Sequence, residues 1–90
     1  MTDLFSKIQE VTSLKGLAGH EGQVRDYLRQ AIAPNVDRIE TDGLGGLFGI
    51  KESSEPQAPR VMIAAHMDEV GFMVSHIKED GTLRAVAIGG

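Results

Sequence analysis

The ninety-residue sequence contains no cysteine. That excludes disulfides and thiolate ligands, so any bound metal would have to be held by nitrogen and oxygen. No apolar run is long enough to cross a bilayer. The opening Met1-Thr2-Asp3-Leu4-Phe5 lacks the basic start and apolar core of a secretion signal, and the expected compartment is the cytoplasm. An excess of basic charge is also missing. Nine Lys and Arg face thirteen Asp and Glu, for a net charge of −4. A nucleic-acid binder would instead show a basic stripe. Aromatic residues are few: three Phe, one Tyr and no Trp. A chain this short makes one small domain at most and buries only about 60–65% of its unfolded surface. A self-sufficient core is therefore expected to be marginal.

What is present centres on Arg60 to Val74. Val61 to Ala65 is a run of five apolar residues, the pattern of a strand buried on both faces in a parallel or mixed sheet. Such a strand delivers the next residues to the carboxyl edge of the sheet, where open α/β folds keep their ligands. Those residues are His66, Asp68 and Glu69. In an extended segment, residues two apart project to the same side, so His66 and Asp68 face together and Glu69 faces away. Imidazole nitrogen and carboxylate oxygen suit zinc or a similar divalent ion, one binding and the other orienting. The plainer alternative is an imidazole that ends a strand and an aspartate that opens a loop. His-x-Asp is too short and common to separate the two.

Along the chain, Thr2 or Asp3 is placed to cap a first helix whose Leu4, Ile8, Val11 and Leu14 share one face. Gly16 and Gly19 stop it. A second helix is expected from about Glu21 to Ala33, with Val24, Leu28, Ala31 and Ile32 inward and an Asp26–Arg29 pair outside. Pro34 ends it. Arg38 to Thr41 and Leu44 to Lys51 read as a hairpin turned at Asp42-Gly43. Glu52 to Pro59 is a polar loop. After the central stretch, Val70 to Ile77 and Thr82 to Ile88 form a second hairpin around Lys78 to Gly81. It is expected to project away from the first unit. About twenty residues past Glu69 cannot build a core alone.

Ala64 to Val74 resembles the first metal-site motif of the M42 family of metallo-aminopeptidases. Gly19 to Arg25, Asp42 to Phe48, Lys78 to Arg84 and Ile88 to Gly90 resemble further segments of that family in the same order. The pattern is most similar to glutamyl aminopeptidases of lactic-acid bacteria and streptococci. Ala18 departs from the family's usual serine, in a loop. The resemblance implies an α/β fold: residues 1–69 as the N-terminal part of an α/β/α metallopeptidase catalytic domain, and residues 70–90 as the incomplete start of an inserted small β domain. It implies removal of N-terminal Glu or Asp from peptides with two divalent metal ions, zinc first and cobalt or manganese next. The position of His66 would bind one metal, and that of Asp68 would be the catalytic carboxylate that orients it. Peptides would be the partners, with no nucleic acid or membrane, and the full-length enzyme would be a homo-oligomer. The family's remaining ligands and general base come from segments that have no counterpart here, so the ninety residues alone are expected to be inactive.

Other residues are read more plainly. His20 and Glu21 are expected to cap the start of a helix and not to bind metal. His76 is expected at the surface. Met62, Met67 and Met73 are expected in the core. The alternative to an enzyme is a non-catalytic interaction module whose free strand edges pair with another chain. Asp68 and Glu69 as a sugar-cleaving carboxylate pair is disfavoured, since neighbours in a strand cannot flank one bond.

Overall fold

The computed structural model describes residues 3–90. Asp3 caps helix α1 (Leu4–Thr12), its Oδ1 accepting from the Phe5 N–H at 3.2 Å. Thr2, the other candidate cap, lies outside the described residues. The chain turns at Gly16 and enters α2 (Gly22–Ile32), which a 3₁₀ turn over Ala33–Asn35 closes at Pro34. Glu21 stands at the helix start but makes no capping bond. Its carboxylate instead accepts from the Gly19 N–H at 2.6 Å and lies 3.5 Å from Arg25. The ion pair on this helix is thus Glu21–Arg25 and not the expected Asp26–Arg29.

Strands β1 (Arg38–Thr41) and β2 (Leu47–Ile50) pair antiparallel, with Arg38 opposite Ile50 and Thr41 opposite Leu47. Asp42 makes the turn: its Oδ1 accepts from the N–H groups of Leu44 and Gly46. The turn uses residues up to Gly46, so β2 starts at Leu47 rather than Leu44. Strands β3 (Gly71–Ile77) and β4 (Leu83–Ile88) form a separate antiparallel pair, with an irregularity between Val74 and His76. Lys78 to Gly81 turns as expected, the Gly81 N–H donating to the Lys78 carbonyl at 3.0 Å. His76 is exposed opposite Arg84.

One expectation fails. Residues 60–65 form no strand and no central member of a sheet. Val61 is 83% exposed and Ile63 95%. A strand buried on both faces needs a hydrogen-bonded neighbour along each edge. Here a cleft of about 770 Å³ lies between β2 on one side and Val61, Met62 and Ile63 on the other. The pattern in the residues is that of a central strand, but among the described residues nothing pairs with it. The methionines follow suit: Met62 and Met73 are exposed and Met67 half-buried, so the expected core role fails too.

The packing agrees. Val24 is the one buried hydrophobic side chain among the described residues, at 5% exposure. The accessible surface is 7768 Å² against about 5,100 Å² for a compact protein of this mass. The radius of gyration is 17.9 Å against about 12 Å for a compact domain. The mixed helix and strand order is that of part of an α/β domain, with apolar faces that the ninety residues do not cover. No described helix is long and apolar enough to cross a membrane.

Candidate functional site

His66 and Asp68 are brought together. His66 Nδ1 lies 3.0 Å from Asp68 Oδ1 and 2.9 Å from the Asp68 backbone oxygen. Both partners are acceptors, so in the neutral ring this geometry puts the proton on Nδ1 and leaves Nε2 with a free lone pair. The two side chains meet on one side of the segment, as the spacing implies. The imidazole is 84% exposed and the Asp68 side chain 41%. They help to line an apolar groove of about 620 Å³ together with Val24, Leu28, Ile32 and Ala65.

A free Nε2 with an occupied Nδ1 is the form in which a histidine binds a metal. The donor chemistry therefore fits one ligand of a zinc-type site. It does not complete one, since such an ion takes about four ligands. Among the described residues, no three His, Asp or Glu side chains converge. Asp68 is engaged by His66. Glu69 is turned away, its Oε1 accepting from the Gly16 N–H at 3.2 Å. The two neighbouring carboxylates thus serve different partners and cannot flank one bond. His20 is exposed and joins neither of them.

Two cations that could read a substrate carboxylate are already tied. Arg25 Nε donates to the Gly45 carbonyl at 2.8 Å. Arg38 pairs with Glu52 and Glu40, which together push its guanidinium pKa up from the ordinary value.

The contact that the residue pattern does not reveal is the one between Glu69 and Gly16. The Glu69 N–H donates to the Gly16 carbonyl at 2.8 Å, alongside the side-chain bond. No local signal could have found it, because the partners lie 53 residues apart.

The profile of the M42 glutamyl aminopeptidase family matches residues 45–90. The glutamyl aminopeptidase of Lactococcus lactis subsp. cremoris is 52% identical over 98% of this chain and 25% of its own length. The lysyl aminopeptidase of Pyrococcus furiosus is 41% identical over 98% of this chain and 24% of its own. An aminopeptidase structure from Desulfurococcus kamchatkensis superposes with a TM-score of 0.86 at 39% identity, covering 94% of this chain and 23% of that one. The chain spans about a quarter of the length of these relatives.

Proposed function

The chain belongs to the M42 glutamyl aminopeptidase family, and we propose that it forms the amino-terminal quarter of a dinuclear-metal aminopeptidase that removes acidic residues from the amino termini of peptides. The observation that carries this reading is the His66–Asp68 pair, with Nδ1 engaged and Nε2 free. His66 is assigned as a ligand of one of two divalent ions, zinc first and cobalt or manganese next. Asp68 is assigned as the carboxylate that fixes the imidazole's tautomer and raises its basicity as a donor. When bound, such ions supply Lewis-acid polarisation of the scissile carbonyl and activation of water.

The remaining ligands and the base that takes a proton from the attacking water are assigned to residues beyond these ninety. Two ions need about seven or eight ligands between them, and His66 offers one. Residues 1–69 then belong to the catalytic domain and residues 70–90 to the opening of an inserted β domain. The proposed setting is a cytoplasmic homo-oligomer acting on peptides. Preference for Glu or Asp follows the higher identity to the lactococcal enzyme than to the lysyl enzyme. Arg25 and Arg38 are not assigned to that preference, because both are already paired.

The test is a graft. These ninety residues replace the matching quarter of the lactococcal enzyme, and the hybrid is assayed on peptides beginning with Glu, Asp, Lys and Leu. Metal-dependent release of an N-terminal residue, lost with His66→Ala, supports the placement of this segment in the catalytic domain. A folded hybrid that binds metal but releases no N-terminal residue overturns it.

The exposed run from Val61 to Ile63 favours a second reading for the ninety residues on their own, as a module that joins another chain through its free edge. Gel filtration with circular dichroism of the ninety residues tests it: a soluble, cooperatively folding monomer or defined oligomer supports the module, and an unfolded or aggregating chain contradicts it.

A further inference from the structure

Glu69 is the carboxylate that the metal reading leaves unused. It follows Asp68 and faces away from it, toward Gly16. That glycine offers both its backbone groups to Glu69: the carbonyl accepts the Glu69 N–H at 2.8 Å, and the N–H donates to Oε1 at 3.2 Å. Leu17 and Glu69 form an isolated parallel bridge at the same place. The approach leaves no room for a side chain at Gly16 or at Gly71. A Cβ on Gly16 would lie 2.8 Å from Val24 Cγ2 and 3.3 Å from the Met67 oxygen, and one on Gly71 would lie 2.7 Å from Leu17 Cδ1. Val24, the buried residue of α2, stands behind.

No other backbone hydrogen bond ties this stretch to the rest of the described residues. Between Pro59 and Val70, among the described residues, the backbone's hydrogen bonds to the rest of the chain are those at Glu69. His66 and Asp68 lie in that stretch without strand partners. Their place relative to α2 is therefore set at Glu69, one residue on.

We propose that Glu69 is a positioning residue for the His66–Asp68 pair, acting on it through Gly16 as a hydrogen-bond acceptor of fixed reach and not as a charge. This rests on the reading of His66 as a metal ligand. The chemistry separates reach from charge. Glutamine keeps a carbonyl oxygen at the same distance and loses the charge. Aspartate keeps the charge and is one methylene short.

The experiment uses the hybrid enzyme that carries these ninety residues, with E69Q, E69D and E69A, read metal-free by amide hydrogen exchange at Gly16 and by ring-nitrogen NMR of His66. The wild-type ring should carry its proton on Nδ1, and E69Q should match it. E69D and E69A should show the mixed tautomers of a free imidazole, with the Gly16 amide exchanging about fivefold faster, the equivalent of ~1 kcal/mol. Amides of α2 should stay protected in all four, which separates a moved segment from an unfolded chain. Aspartate preserving the ring state while glutamine loses it would overturn the proposal, as would an unprotected Gly16 amide in the wild type. Zn²⁺ added alone distinguishes the two levels. A wild-type Nε2 that ignores Zn²⁺ sinks the metal reading, while exchange and tautomer still support the anchor. A Zn²⁺ response and tautomer identical in wild type and E69A sink the positioning role alone.

Discussion

Replacing Gly16 with alanine should loosen the candidate site from behind without touching either of its side chains. The new methyl would stand 2.8 Å from Val24 Cγ2 and 3.3 Å from the Met67 carbonyl oxygen. Val24 is β-branched and sits in α2, where one rotamer dominates, so it yields poorly. The 67–69 segment is the softer side, because its ties to the loop are the two Gly16–Glu69 hydrogen bonds. Forcing an extra methyl into a filled space costs about 1–3 kcal/mol. Losing two hydrogen bonds at about 1 kcal/mol each gives a figure in the same range. Urea titration followed by helical circular dichroism, in the wild-type and Val24→Ala backgrounds, measures it. The Val24→Ala change removes the methyl that is struck, so Gly16→Ala should cost less there, with a coupling of about 0.5–3 kcal/mol. An unchanged midpoint for Gly16→Ala, or an equal loss in both backgrounds, would refute the packing argument.

In the hybrid enzyme, His66→Ala should lose one metal and most turnover, and Asp68→Asn should cut metal affinity or activity by roughly 10–100-fold. His20→Ala should change little; plasma mass spectrometry beside a turnover assay reads all three. The isolated ninety residues should release no Glu or Asp from peptides with any added divalent ion, and turnover free of contaminating peptidase would contradict that. The Thr82 hydroxyl and N–H, donating to Asp80 Oδ1 at 2.6 Å and 3.0 Å, hold the Asp80 carboxyl below its ordinary range. That contribution to the β3–β4 turn is present above the ordinary carboxylate pKa and is lost as pH falls through the lowered one. Thr82→Val should raise the Asp80 pKa, so that the turn loosens at a higher pH, as carboxyl-carbon NMR titration can follow.

Local chemistry was legible in the residues, and long-range pairing was not. The Asp3 cap, the Pro34 stop and the Lys78 to Gly81 turn each depend on neighbours within a few positions and appear where the residues place them, whereas the Asp42 turn starts as expected but runs on to Gly46. Glu21 misled because a carboxylate at a helix start has several donors in reach, and the Gly19 N–H and Arg25 won. Val61 to Ala65 carries the composition of a central strand, but composition cannot supply the strands on either side. The same shortage explains Met62 and Met73, apolar residues with nothing to pack against. His66 and Asp68 were legible as a pair because residues two apart project to one side of an extended segment. What holds that segment in place was hidden, since Gly16 looked like a helix stop and nothing more.

The most direct test of the central claim is diffraction at the zinc absorption edge from crystals of the metal-loaded hybrid. The account predicts His66 Nε2 at about 2.0–2.1 Å from one ion of a pair, with Nδ1 still turned to Asp68. A filled two-metal site with His66 outside its ligands, or one bound through Nδ1 with Asp68 displaced, would contradict it.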